Sequence, residues 1–175
     1  TTITNAYKAN LTSRGTDANM GQSDILEVFS IYAQADATSS EQARILVKFP
    51  IDTLIADIAA NKVPDTNVKY YLKLFNAPHG ETLPSNYTLS AHRVTTAWDE
   101  GHGLDMEEYS DIGATASTGT GATWTNASQG TGWGTPGGDY DSTDYEATFE
   151  EGYEELEINI TALVDSWLVP TTTPN

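Results

Sequence analysis

The sequence contains no cysteine. That removes a disulfide framework, a thiolate metal site and a cysteine nucleophile at once. It has no apolar run approaching the roughly 20 residues that cross a bilayer as a helix. No basic segment followed by an apolar stretch opens it, so no signal peptide is expected in this form. Positive charge is scarce: 8 Lys and Arg stand against 25 Asp and Glu, a net charge of −17. All of that positive charge lies at or before Arg93, and residues 94–175 hold sixteen carboxylates with neither Lys nor Arg. A nucleic acid or an anionic membrane surface needs a positive patch that displaces counterions, so neither is expected as a partner. A Gly-x-Ser-x-Gly elbow is missing, as is any His pair at i, i+4. His79 sits in a Pro-His-Gly turn, His92 in a strand-like run and His102 in a Gly-His-Gly loop. No catalytic centre is legible, and a non-enzyme is expected.

What the chain does have is threonine, glycine, tyrosine and alternation. Arg44–Ile51 (RILVKFPI) places Ile45, Val47, Phe49 and Ile51 on one face, with Leu46 and Lys48 on the other. Val68–Asn76 (VKYYLKLFN) sets Val68, Tyr70, Leu72 and Leu74 against Lys69, Tyr71 and Lys73. Leu156–Ile160 (LEINI) turns Leu156, Ile158 and Ile160 inward. Ile25–Ala33 and Tyr87–Thr95 alternate more weakly. A period of two over such runs marks half-buried antiparallel strands. The spacing predicts helix only over 52–60, where Asp52 is placed to cap, and over 161–168, capped by Thr161. The expected fold is all-β: one antiparallel two-sheet β-sandwich domain over residues 1–175, with one or two short helices.

Residues 113–138 carry no charge and little but Gly, Thr, Ala and Ser around two tryptophans. Such composition predicts a long loop rather than a regular core strand. Trp124 and Trp133 are expected to pin that loop onto the sandwich; facing a glycan is the other role open to them. Trp98 and Trp167 are expected in the core.

The acidic half has two readings. A solvated face keeps a protein soluble and discourages self-association. Alternatively, Ca²⁺ takes six to eight oxygens from carboxylates, carbonyls and water. Asp99, Glu100, Asp105, Asp139 and Asp141, on loops rich in glycine, are the candidate ligands. A glycosidase acid and base could be sought among the same carboxylates, yet a catalytic acid needs burial, and these runs are spaced by Gly like exposed loop. No cofactor is required on this reading, and Ca²⁺ is the ion that the acidic loops allow.

Several runs, taken in order, carry a resemblance. They are Asn19-x-Gly21, the Arg-Ile-Leu-Val-Lys-Phe run 44–49, Leu-Lys-Leu-Phe 72–75, Val-Thr-Thr-Ala-Trp-Asp-Glu-Gly 94–101, Trp-Gly-Thr-Pro-Gly-Gly-Asp-Tyr 133–140 and Ile-Asn-Ile-Thr-Ala-Leu-Val-Asp-Ser-Trp-Leu 158–168. The sequence resembles the DNRLRE-type jelly-roll domain, akin to certain carbohydrate-binding modules. Within that group it resembles the version found in structural proteins of tailed phages, particularly of marine bacteria. The resemblance implies a bacteriophage virion structural protein: an exterior appendage, fibre or decoration module whose partners are other virion subunits or copies of itself. A host surface glycan is a further partner it allows. It supplies no catalytic residues. The alternative it leaves open is a carbohydrate-binding module of a polysaccharide-degrading or adhesive protein, secreted or on a cell surface. Members of this pattern follow the final Trp with a Gly-rich turn and a last strand. Here residues 169–175 hold two prolines and three consecutive threonines, so that strand is expected from further chain or from a neighbour.

Overall fold

The computed structural model describes residues 1–8, 11–78, 80, 85–104 and 121–168. His79, Asp105, residues 113–120 of the Gly/Thr-rich stretch and the 169–175 tail lie outside them. The fold is predominantly β, with two short helices and four small antiparallel sheets among the described residues. It divides into two compact units, Thr1–Lys48 with Val94–Asp139 and Phe49–Arg93 with Tyr140–Asn175.

In the first unit β1 (Thr2–Thr4), β2 (Phe29–Tyr32) and β3 (Ser40–Ile45) form a sheet ordered β1-β3-β2. β1 is buried at all three positions although two are threonine. Burying a hydroxyl is costly unless it is bonded. Thr4 Oγ1 donates to Gln42 O at 2.8 Å and accepts from Ala6 N–H at 3.0 Å, and Thr2 Oγ1 accepts from Glu27 N–H at 3.0 Å. Ile3 between them enters a core of Leu46, Ala122, Trp124, Ala127 and Trp133, against which Val94 and Trp98 pack.

The face expected for Arg44–Ile51 is corrected here. Leu46 is buried, whereas Val47 and Phe49 are each 42% exposed. The strand lies earlier, over Ser40–Ile45, held on both sides by β1 and β2, and Val47 and Phe49 belong to chain that has left the sheet towards Pro50.

In the second unit β4 (Tyr71–Leu74) pairs with β9 (Leu156–Asn159), and β5 (Tyr87–Ala91) pairs with β8 (Tyr145–Phe149). Ile158, Ile160, Leu163 and Val164 are buried, with Leu72, Leu74, Leu89, Ala147 and Trp167 packed on them. Burying each such branched side chain stabilises by about 2 kcal/mol. The inward faces of β4 and β9 are the ones their alternation predicts.

Helix α1 spans Ile51–Ala59 with Pro50 at its N-cap and no side-chain cap. Asp52 is therefore not the cap but a first-turn acid at the positive end of the helix. At the other end Asn61 takes φ +57, with Asn61 N–H bonded to Ile58 O and Lys62 N–H to Asp57 O. That is a Schellman stop. Helix α2 spans Thr161–Leu168. Thr161 N–H and hydroxyl both reach Asn159 Oδ1, at 3.0 and 2.7 Å, so Asn159 supplies the cap expected from Thr161. The Thr161 oxygen instead accepts Tyr70 N–H at 3.0 Å, tying α2 to the start of β4.

Candidate functional site

Of the described residues singled out on sequence grounds as metal or glycan ligands, all but Asp141 gather around two loop systems of the first unit. The first centres on Asn19, which is fully buried. Its amide donates to Glu100 O at 2.9 Å and Ala122 O at 2.7 Å, while Oδ1 accepts from Gly21 N–H at 3.1 Å and Gly103 N–H at 2.9 Å. One side chain thus clasps three segments, with every donor and acceptor used. The neighbours are glycines because nothing larger fits: a Cβ on Gly103 would stand 1.7 Å from Asn19 O. The clasp fixes the Trp-Asp-Glu-Gly run. Asp99 N–H donates to Ala127 O at 3.1 Å, and Ala122 N–H donates to Asp99 O at 2.7 Å. The Asp99 and Glu100 side chains remain exposed.

The second system is the turn 133–139. Asp139 accepts from Gly134 N–H at 2.9 Å, Thr135 N–H at 2.8 Å and the Thr96 hydroxyl at 2.8 Å. The Gly134 N–H first, then the Thr96 hydroxyl and Thr135 N–H, hold its carboxyl below the usual range. In the second unit Asp141 accepts Thr143 N–H at 3.0 Å and stands 3.9 Å from Arg93 Nε. Among the described residues no three His, Asp or Glu side chains converge as a metal site would require. The four described Ca²⁺ candidates are thus not gathered into one donor set. Asp139 in particular spends its carboxylate on closing its own turn.

Trp124 and Trp133 are 8% and 7% exposed, which corrects the expectation of faces open to a glycan. Trp133 Nε1 donates to Thr123 O at 2.9 Å. The Arg44 guanidinium lies 5.0 Å from the centroid of the Trp124 ring, and its Nη1 bonds Gly137 O at 2.8 Å. Gly137, at φ +95, closes on Trp124 so tightly that a Cβ there would meet the ring at 2.9 Å. Both rings belong to the first unit's core, and between them β6 (Asn126–Ser128) and β7 (Thr131–Gly132) pair as a small hairpin.

Sequence reasoning missed Glu41, which is 1% exposed. Its Oε2 accepts Tyr7 N–H at 2.9 Å, and Gln34, with its amide nitrogen turned inward, donates to both carboxylate oxygens at 3.0 and 3.1 Å. No sequence signal marks it, since an acid inside Ser-Glu-Gln-Ala reads as exposed. Also unforeseen is a groove of about 470 Å³ in the second unit, between α1, β4 and α2. No family model, curated protein or solved structure matches this chain.

Proposed function

We propose that the protein is a non-enzymatic bacteriophage virion structural protein. On this reading it is an exterior appendage, fibre or decoration module, built on a jelly-roll two-sheet sandwich and acting through packing and surface contact. The phage assignment rests on the motif resemblance given above. The contact role rests on one observation. Around the edge strand β2, Ile25 is 54%, Leu26 42%, Ile31 38% and Tyr32 70% exposed. A hydrophobic edge strand invites pairing and aggregation unless something covers it. A neighbouring virion subunit or another copy of the chain is the cover this reading supplies, while the net charge of −17 discourages indiscriminate contact. Asn19 and Asp139 fit the same picture, because their polar atoms are spent on holding loops. The alternative carbohydrate-binding module loses its two expected aromatic platforms to burial.

Purified particles provide the test. The protein is expected in them in many copies, labelled from outside by antibody, with Ile31→Asp and Tyr32→Asp lowering incorporation at unchanged melting temperature. Its absence from particles would overturn the reading.

A further inference from the structure

The second unit holds an open strand edge beside a groove, and its backbone hydrogen bonding identifies what fits there. β4 pairs with β9 in antiparallel register, Tyr71 opposite Asn159 and Lys73 opposite Glu157. Ile160 N–H donates to Tyr70 O at 3.0 Å, in that same register. In an antiparallel ladder, bonded and non-bonded pairs alternate. Tyr70, Leu72 and Leu74 therefore point their N–H and C=O groups at β9, and Tyr71 and Lys73 point theirs away. β4 has no other strand partner among the described residues.

The groove runs along this free edge, since the consecutive residues Tyr70 to Lys73 all line it. Consecutive strand residues face opposite sides of a sheet, so a space that all four line meets the strand at its edge. Its apolar wall comes from Ile51, Leu54, Ile160, Val164 and Trp167. Trp167 Nε1 is itself buried and meets no hydrogen-bond acceptor among the described residues, a state that costs about 1–3 kcal/mol. On the outward face Tyr71 is 44% and Phe75 72% exposed, alongside the exposed Lys69 and Lys73. Lys73 reaches Glu157 at 2.8 Å, whereas Lys69 forms no ion pair among the described residues.

We propose that the β4 edge is a strand-acceptor site for an extended polypeptide segment of alternating large apolar and acidic residues, donated by another protein. The unpaired groups of Tyr71 and Lys73 call for main chain, which a sugar or small apolar ligand cannot match in register. The groove takes the apolar side chains of the incoming strand. Lys69 and Lys73 select acids on the alternate positions. The same two lysines reject a second β4: antiparallel self-pairing about Tyr71 sets Lys69 opposite Lys73, and like charges directly opposite are destabilising. This inference stands whether or not the protein belongs to a virion.

The test uses the full chain and a fluorescein-labelled nonapeptide alternating valine and glutamate, followed by anisotropy. Two further peptides carry N-methyl groups, one on the odd amides and one on the even. Strand addition requires that one methylated set lose about tenfold or more in affinity while the other binds as before. Lys69→Glu should weaken binding of the glutamate peptide and strengthen that of its lysine counterpart. The amides of Tyr71 and Lys73 should gain protection from hydrogen exchange on binding. The proposal is overturned by no saturable binding at millimolar peptide or by equal loss with both methylated sets. A dimer by light scattering whose formation protects the same two amides would also overturn it, by making a second copy the occupant.

Discussion

At the residue scale the chain is held by a few polar side chains that join segments far apart in sequence. Asn19 reaches Gly103, 84 positions on, and Ala122, 103 positions on. Replacing it with Ala orphans two N–H groups and two carbonyls; the bonds to Ala122 O and Gly103 N–H are the fully buried pair, and each buried orphan costs about 1–3 kcal/mol. Asn19→Ala should therefore lower stability by about 3–5 kcal/mol, read by denaturant unfolding. The glycines around it give a sharper contrast. Gly130 has φ +73 but nothing within 4 Å of an added Cβ, whereas Gly103 faces Asn19 O. Gly130→Ala should cost about 1 kcal/mol from backbone strain alone, and Gly103→Ala considerably more. The Asn-x-Gly pattern was legible as one of the runs that carry the resemblance, but its remote partners were not, because hydrogen bonds across that distance leave no local pattern. Asp139 leads to a prediction about metal. With its oxygens already accepting three bonds, it has little left to offer Ca²⁺. Melting temperatures in EDTA and in millimolar Ca²⁺ should agree, and a Ca²⁺-dependent rise, the mass-action signature of binding to the native state, would restore the acidic half as a metal site.

At the element scale, legibility tracked how much of a segment's environment is written into its own alternation. β4 and β9 were readable because Lys73 and Glu157 mark their wet faces and Leu72 and Ile158 their dry ones. Both helices were readable from apolar spacing, but the caps read for them, Asp52 and Thr161, are replaced by Pro50 and Asn159. β8 also alternates, as Tyr-Glu-Ala-Thr-Phe, but its middle residues Ala147 and Thr148 mark the dry and wet faces only faintly. β1 could not be read: Thr-Ile-Thr is buried on both faces, and its hydroxyls find partners only after β3 has formed beside it. β3 was misplaced for the converse reason, since the buried Glu41 makes its true start look exposed. Thr161 shows how one side chain couples two elements. Thr161→Val keeps the shape but leaves Tyr70 N–H without its acceptor and Asn159 with one bond fewer. Stability should fall by about 1–2 kcal/mol. Amide exchange should quicken first at Tyr70 and along α2, while the first unit's amides keep their rates; a uniform change across both units would refute this coupling.

At the scale of the whole molecule, the charge imbalance sets two opposing responses to acid. At neutral pH the excess of carboxylates repel one another, and residues 94–175 carry no Lys or Arg to offset them. Mild acidification or added salt should therefore stabilise, because it neutralises or screens repulsion over a Debye length of about 10 Å at 0.1 M. Other carboxylates work the opposite way. Asp36, through the hydroxyl and N–H of Thr38, and Asp139, through Gly134, Thr96 and Thr135, are held below their ordinary range. For Glu154 desolvation pulls upward, but N–H groups of Glu154, Glu151, Glu150 and Gly152 outweigh it and the carboxyl is lowered. A carboxyl lowered in the folded state binds its proton more tightly when unfolded. Its contribution is complete above the unfolded value and disappears as pH falls through the folded one. The melting temperature should thus rise as pH drops from about 8 towards 5 and fall steeply below about 4. High salt should flatten the rise far more than the fall, since bonds inside tight turns are little screened. Asp139→Asn separates the two limbs. It removes one lowered carboxyl, so it should destabilise at pH 7 and lose less than the parent between pH 4 and pH 2. Calorimetry across pH reads both limbs, and a parent whose stability falls monotonically from pH 8 downward would show that repulsion among the carboxylates is not what limits it.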